Sequence, residues 1–186
     1  MKKKENQRIT LTKRLLQEAL LLMLRDKSIN RISVRDLCEK AGINRTTFYN
    51  HYSCPADVLN DISQSFMNDI GRMLDEAEST NLQSVAEKMA CIFLHMENHL
   101  ELVRLLLSTD NYCMFADKLF THPAITSLWQ ETVDATLDEE KKAAFTIALY
   151  VSYQYMKTWL YSDQRIPSDQ MAQMILKRIR QMIRRL

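Results

Sequence analysis

Hydrogen-bonding side chains crowd into one short stretch of the chain, AGINRTTFYNHYS, residues 41–53. The residues of this stretch that carry long or branched polar side chains are Arg45, Thr46, Thr47, Tyr49, Asn50 and His51. Only Phe48 and Tyr52 fall at the i, i+4 spacing of a buried helical face, so the other positions point outward. Burial of apolar side chains alone does not account for the composition of such a helix. Its outward polar groups suit a partner that presents hydrogen-bond donors and acceptors.

A second set of chemically active side chains, Cys91, His95 and His99, falls at i, i+4 and i+8 on one helical face. Thiolate and imidazole are metal ligands. Two i, i+4 steps span about 12 Å along a helix, so one ion cannot be bound by all three. A ligand pair, polar groups facing a small molecule, and ordinary half-buried residues all stay open here, and we predict no bound metal.

Motifs of catalysis are missing from the sequence. There is no Gly-rich phosphate loop, no GxSxG, no HExxH and no close carboxylate pair beside an obvious cleft. Four cysteines without a CxxC pair argue against a zinc finger or a secreted disulfide framework. The longest unbroken apolar run, residues 19–24, is too short to span a membrane. We predict no enzymatic activity, no cofactor, no membrane contact and a cytoplasmic location.

Composition predicts the elements that position these residues. Two glycines and three prolines in 186 residues leave few turns for hairpins, and good helix formers dominate. We therefore predict an all-α protein of about nine to ten helices. Apolar periodicity places them at 11–26, 34–41, 45–51, 55–78, 82–98, 100–108, 112–121, 124–136, 139–162 and 168–185.

The second and third predicted helices are short and joined by a tight turn. Ser33 and Asn44 are suitable N-caps, and Gly42 stands where a left-handed residue would end a helix. Two such helices, the second with a polar face, form a helix-turn-helix, whose second helix enters the DNA major groove. Residues 1–53 hold 12 Lys and Arg against 5 Asp and Glu, whereas residues 54–169 hold 8 against 18. The first third of the chain thus suits a polyanion, and we predict double-stranded DNA as its partner.

The stretch ISVRDLCEKAGINRTTFYNHYSCPADVL, residues 32–59, resembles the DNA-binding region of TetR-type (TetR/AcrR-like) transcriptional regulators. The upstream RLLQEALLLML is similar to their first helix. The resemblance implies a three-helix DNA-binding domain at 1–54 and a helical effector-binding and dimerisation domain at 55–186. One departure is Pro55, which stands where the family commonly has a phosphate-binding lysine. That contact is either missing or supplied by Lys2 to Lys4, Lys13 or Arg14.

The resemblance also assigns roles on this chain. Residues implied to reach base edges or nearby phosphates are Arg35, Arg45, Thr46, Thr47 and Asn50. Arg45 is the best suited to a guanine, while Tyr49 and His51 are implied to bind phosphates. Gly42, Phe48 and Tyr52 are expected to set the helix angle.

The last two predicted helices have the strongest apolar stripes, which fit either an internal core or a two-fold partner. The resemblance implies a homodimer through these helices. Aromatic residues concentrate in 82–162 and fit either core packing or a small-molecule effector pocket. The candidates for that pocket are His95, His99, Tyr112, Phe115, Trp129 and Tyr153, with Met89, Met96, Met114 and Met156 as adaptable walls.

These observations predict a sequence-specific DNA-binding transcriptional regulator, a ligand-responsive repressor that acts as a homodimer on a palindromic operator. The main alternative is a DNA-binding adaptor of the same fold that is controlled by a protein partner. A third reading is a helical protein that binds nucleic acid without sequence preference.

Overall fold

The computed structural model describes residues 2–79, 84–108 and 139–184, with positions 115, 118–119, 121–123 and 125–127 between them. Regular backbone in these residues is helical, without strands, which confirms the predicted all-α class. The elements are α1 (Lys2–Met23), a 3-10 helix (Ile29–Arg31), α2 (Val34–Ala41), α3 (Arg45–Tyr49), α4 (Pro55–Ser79), α5 (Val85–Asn98), α6 (Leu100–Leu106), α7 (Glu139–Tyr161) and α8 (Ser168–Arg184). The helices predicted at 112–121 and 124–136 lie largely outside the described residues.

The chain divides into two compact units, and the first comprises residues 1–66 and 105–116. In this unit α1 packs on α2, and α2 packs on α3. Its core contains the buried side chains of Leu16, Leu20, Leu37, Phe48, Tyr52, Val58, Leu59 and Ile62. The apolar spacing of these residues predicts the same burial, because i, i+3 and i+4 positions share one helical face.

Capping residues define the two short helices. The Ser33 hydroxyl accepts a hydrogen bond from the Asp36 amide at 3.1 Å and starts α2. Gly42 adopts φ 66°, ψ 28° and ends α2, while the Ile43 amide donates to the Cys38 carbonyl at 3.0 Å. The Asn44 side chain then accepts from the Thr46 amide at 2.9 Å and starts α3. The turn between the helices is therefore built as the sequence predicts.

Several helix bounds differ from the prediction, and two of these differences have a local explanation. α1 begins at Lys2 instead of residue 11. Residues 2–10 have no apolar stripe, so apolar periodicity does not predict a helix there. They also contain no helix breaker, so the helix extends through them. α3 ends at Tyr49 instead of His51. The amides of His51 and Tyr52 both donate to the Phe48 carbonyl, at 2.9 and 3.0 Å, so the last turn tightens.

The second unit comprises residues 67–104 and 117–186, and in it α8 packs against α5 and α7. α5 begins with a capping box in which Ser84 and Glu87 exchange hydrogen bonds at 3.1 and 3.2 Å. The predicted division between residues 54 and 55 stays a prediction, since α4 begins there but contributes residues to both units. In the part of the chain that the structure describes, no helix has the length and apolar character needed to cross a bilayer.

Candidate nucleic-acid interface

The α3 helix is held from beneath by one fully buried side chain, Phe48. The Phe48 ring lies edge-on to Tyr49, with centroids 5.5 Å apart, and 5.9 Å from the centroid of Tyr52. Tyr52 is buried, whereas the Tyr49 side chain is 59% exposed. The core side of this segment is therefore aromatic, and its opposite side faces outward.

All seven residues predicted to bind DNA have exposed or half-exposed side chains. Arg35 on α2 and Arg45, Thr46, Tyr49 and Asn50 on or next to α3 are exposed, and Thr47 and His51 are half-exposed. Six of the seven lie within residues 45–51, and Arg35 comes from the preceding helix. Exposed guanidinium, hydroxyl and amide groups on one short helix match the hydrogen-bonding edges that base pairs show in the major groove.

The start of α4 is capped by the carboxylate of Asp57. Asp57 Oδ2 accepts hydrogen bonds from the amides of Ser53 at 2.7 Å and Cys54 at 3.2 Å. These backbone hydrogen bonds hold the pKa of Asp57 below its usual value. Pro55, the first residue of α4, donates no hydrogen bond and carries no charge.

The cations that could replace the missing lysine contact have different surroundings. The Lys13 ammonium lies 3.2 Å from Asp61 Oδ2, so its charge is already paired. Arg14 forms an exposed pair with Glu18, Nε to Oε1 at 3.3 Å, which is too weak to withhold the guanidinium from a phosphate. The side chains of Lys2 to Lys4 lie outside the described residues.

Asp61 and Tyr52 shift each other's ionisation in opposite directions. Burial raises the pKa of Asp61, but hydrogen bonds from the Tyr52 hydroxyl and the Lys13 ammonium outweigh burial and leave that pKa below its usual value. Burial, together with the hydrogen bond to Asp61 and its negative charge, raises the pKa of Tyr52 well above its usual value. The direct hydrogen bond between Tyr52 Oη and Asp61 Oδ2, at 2.6 Å, contributes to both shifts.

The lowered pKa of Asp61 predicts a loss of stability in acid. The unfolded carboxyl has a pKa of about 3.9. Because the folded pKa is lower, Asp61 stabilises the protein above the unfolded value, and this contribution disappears as the pH falls through the folded pKa. We expect the free energy of unfolding of Asp61→Asn to depend less on pH below about pH 4 than that of the unmodified protein. Urea unfolding of both proteins between pH 3 and 6 measures this dependence. If the free energies of unfolding of the two proteins changed in parallel with pH, the expectation would be contradicted. The control is Glu39→Gln, which removes an exposed carboxylate on α2.

A small apolar cavity lies inside the second unit. Its volume is about 50 Å³, and its walls come from α5, α7, α8 and two residues between α6 and α7. The lining residues are Met89, Ile92, Phe93, Met96, Leu119, Ile125, Leu149, Ser152, Tyr153, Met156 and Ile175. The Ser152 hydroxyl donates to the Ala148 carbonyl at 2.7 Å, and none of the described lining residues is charged.

Of the predicted pocket residues that the structure describes, one lines this cavity. Tyr153 lines it, but His95 and His99 do not. Phe115 is buried in the first unit, with its ring centroid 6.1 Å from that of Phe66. Tyr112, Trp129 and Met114 lie outside the described residues. Met89, Met96 and Met156, which the sequence suggests as adaptable walls, do line the cavity, together with aliphatic residues.

The Cys91, His95 and His99 stripe brings two imidazoles close together. The rings of His95 and His99 are 4.4 Å apart, and His99 Nδ1 lies 3.0 Å from the His95 carbonyl oxygen. Burial, reinforced by His99, lowers the pKa of His95, and Asp69 opposes this shift. Among the described residues, no three His, Cys, Asp or Glu side chains converge as metal ligands.

Comparisons with known proteins agree with this architecture. A TetR transcriptional regulator from Streptococcus agalactiae 2603V superposes with a TM-score of 0.71, covering 96% of this chain and 99% of that one at 19% identity. A TetR/AcrR-family regulator from Thermobifida fusca YX-ER1 superposes with a TM-score of 0.51, covering 90% and 95% at 15% identity. No protein-family model matches the chain. The chain has the TetR-type fold, as the resemblance of residues 32–59 implied.

One relative is found by sequence. The chain is 21% identical over 169 residues to the uncharacterized HTH-type transcriptional regulator YxbF of Bacillus subtilis (strain 168). The match covers 89% of this chain but 44% of YxbF, so the chain spans less than half the length of that relative.

Proposed function

We propose that this protein is a sequence-specific DNA-binding transcriptional repressor that acts as a homodimer on a palindromic operator. The observation that carries the proposal is α3, whose Phe48 is buried while Arg45, Thr46, Tyr49 and Asn50 are exposed, within a basic first third of the chain. In this proposal Arg45 reads a guanine, Thr46, Thr47 and Asn50 contact neighbouring base edges or phosphates, and Arg35 supports them from α2. Tyr49 and His51 bind phosphates.

A homodimer is part of the proposal because one helix of five residues covers too few base pairs for a specific site. Two copies related by a two-fold axis read a palindrome, with half-sites one or more helical turns apart. The apolar surface available for this is on α7, where Ile147, Val151 and Tyr155 follow at i, i+4 and i+8 and are each at least half exposed. A groove of about 460 Å³ between α7 and α8 adjoins it.

Binding to operator DNA tests the proposal. The operator is selected from a random duplex library with the purified protein, and its affinity is then compared with that of a scrambled duplex by fluorescence anisotropy. We expect a preference of at least about 10³ at roughly 0.15 M salt. Affinity for both duplexes should fall steeply with salt, by about 0.9 log unit per log unit for each phosphate neutralised. A salt slope without a preference would instead indicate non-specific binding.

Control of the proposed repressor by a small molecule is supported by the cavity, but the size of that cavity matters. Ligand pockets usually measure about 300–1,000 Å³, far above the volume of about 50 Å³ of the cavity that the described residues line. An effector must therefore be compact and apolar, or must displace the flexible walls formed by Met89, Met96 and Met156.

The small cavity also favours a second candidate, a DNA-binding adaptor of the same fold that is switched by a protein partner. Small apolar compounds that dissociate the operator complex would support the effector. If only a second protein dissociates it, the adaptor is the better description.

A further inference from the structure

One carboxylate oxygen of the first unit collects three hydrogen bonds from two distant parts of the chain. Asp61 Oδ2, on α4, accepts from the Tyr52 hydroxyl at 2.6 Å. It also accepts from the Lys13 ammonium and the Gln17 amide, both on α1 and both at 3.2 Å. The Lys13 ammonium lies 5.4 Å from the centroid of the Tyr52 ring. We name these four residues, Lys13, Gln17, Tyr52 and Asp61, the Asp61 junction.

The Asp61 junction is linked to α3 through the contact between Tyr52 and Phe48, in addition to the packing of α3 on α2. α3 has five residues, and Phe48 is its one buried side chain. Tyr52 lies three residues after the end of α3, packs against Phe48 and is itself buried. The hydroxyl of Tyr52 donates a hydrogen bond to Asp61 on α4. The ring of Tyr52 lies next to the Lys13 ammonium on α1. A change at Asp61 can therefore rotate the Phe48 and Tyr52 pair, and with it the outward groups of α3.

The Asp61 junction also pairs the positive charge of Lys13, which is then less available to a DNA phosphate. Lys13 is one of the cations expected to replace the phosphate contact that Pro55 cannot make. Its ammonium is paired with Asp61, and both side chains are more than half buried, at 38% and 35% exposure. A negative charge in a module that binds a polyanion lowers total attraction, so Asp61 weakens binding to any duplex, whatever its sequence.

We propose that Asp61 is a positioning residue for base reading: it fixes α3 through Tyr52 and keeps Lys13 from the phosphates, so it favours discrimination over total affinity. This inference rests on the proposed function, because it needs a preferred operator. It assigns to an acidic side chain, which touches no base, a role in sequence selection. The chemistry is a charge-assisted hydrogen bond, the strongest kind available to a tyrosine hydroxyl.

The first test is Asp61→Asn in the full chain, with affinities for the operator and a scrambled duplex measured across a range of salt. We expect affinity for the scrambled duplex to rise and its salt slope to steepen by about 0.9 for each Lys13 that now reaches a phosphate. We expect the operator preference to fall by roughly tenfold, within the range for directly coupled residues. Glu39→Gln removes the same charge from an exposed position on α2, and should leave the preference unchanged.

Further variants separate positioning from a loss of folding. Tyr52→Phe keeps the ring and removes the hydroxyl, so it should lower the preference without steepening the salt slope. Together with Asp61→Asn, its effect on the preference should not be additive, because Asp61→Asn weakens the same hydrogen bond by removing its charge and Tyr52→Phe removes that bond altogether. Lys13→Met should leave the salt slope of the unmodified protein unchanged and reduce that of Asp61→Asn.

The outcomes distinguish this inference from the proposed function. If the unmodified protein prefers no duplex, the proposed function fails first. If it prefers an operator and either Asp61→Asn or Tyr52→Phe retains the full preference, the positioning role of Asp61 is wrong. Should Asp61→Asn prove unfolded by circular dichroism, Tyr52→Phe alone decides.

Discussion

Replacing Arg45 with alanine is expected to remove most of the operator preference and leave the fold intact. Arg45 is the first residue of α3 and is exposed. A bidentate arginine to guanine contact contributes about 1–3 kcal/mol of discrimination, and a homodimer makes it twice. The preference should therefore fall by a factor of roughly 30 to 10⁴. Anisotropy with the operator and the scrambled duplex measures it.

Stability should not explain the effect of Arg45→Ala. A cation at a helix N-terminus opposes the helix dipole, so its removal does not weaken α3. Arg45→Lys is the informative companion, because it keeps the charge and loses the planar pair of donors. We expect it to preserve the salt slope and still lose preference. An unchanged preference in Arg45→Ala would show that Arg45 does not contact a base. The proposed interface would then lack the residue best suited to recognise a guanine.

Local signals in the sequence account for the helix-turn-helix. Ser33, Gly42 and Asn44 have short-range roles, a cap, a left-handed turn and a second cap, and each depends on neighbours within four residues. The burial of Phe48 and Tyr52 follows from their i, i+4 spacing in the same way. These features could be predicted because the interactions that produce them are close in sequence.

The Asp61 junction could not be predicted in this way. Lys13 and Asp61 are 48 residues apart, and nothing in the periodicity of α1 or α4 pairs them. In the sequence Lys13 belongs to the basic first third of the chain, so it is expected to bind phosphate, whereas in the structure it is an ion-pair partner. Charge counts along the chain therefore overestimate the cations available to DNA.

The cavity in the second unit could not be predicted from the sequence either. The described lining residues come from three helices and from Leu119 and Ile125, and most of their side chains are the aliphatic and sulfur-containing groups of any helical core. A void arises from small mismatches in how such groups interdigitate, and these mismatches have no sequence period. Tyr153 was predicted as a pocket residue for its aromatic ring, and that property does not separate it from Tyr150, which is 58% exposed three residues earlier.

Charge placed on the exposed stripe of α7 is expected to abolish the proposed homodimer. Val151 is 55% exposed in the single chain, so Val151→Arg adds a solvated side chain without emptying the core. In a two-fold interface the same substitution occurs twice, and each guanidinium would be buried without a partner. Such a burial costs about 3–5 kcal/mol, which weakens association by at least roughly 10². Sedimentation velocity at micromolar concentration should show a monomer.

The control for Val151→Arg is Leu94→Arg, which changes a side chain that is 50% exposed on α5, away from the α7 and α8 groove. We expect Leu94→Arg to leave the dimer intact. The monomeric Val151→Arg should bind a half-site as the unmodified protein does and lose the gain from the full palindrome, because its α3 is unchanged. If Leu94→Arg dissociates the dimer and Val151→Arg does not, the two-fold contact uses α5, and the spacing of the two α3 helices must be derived from that surface instead.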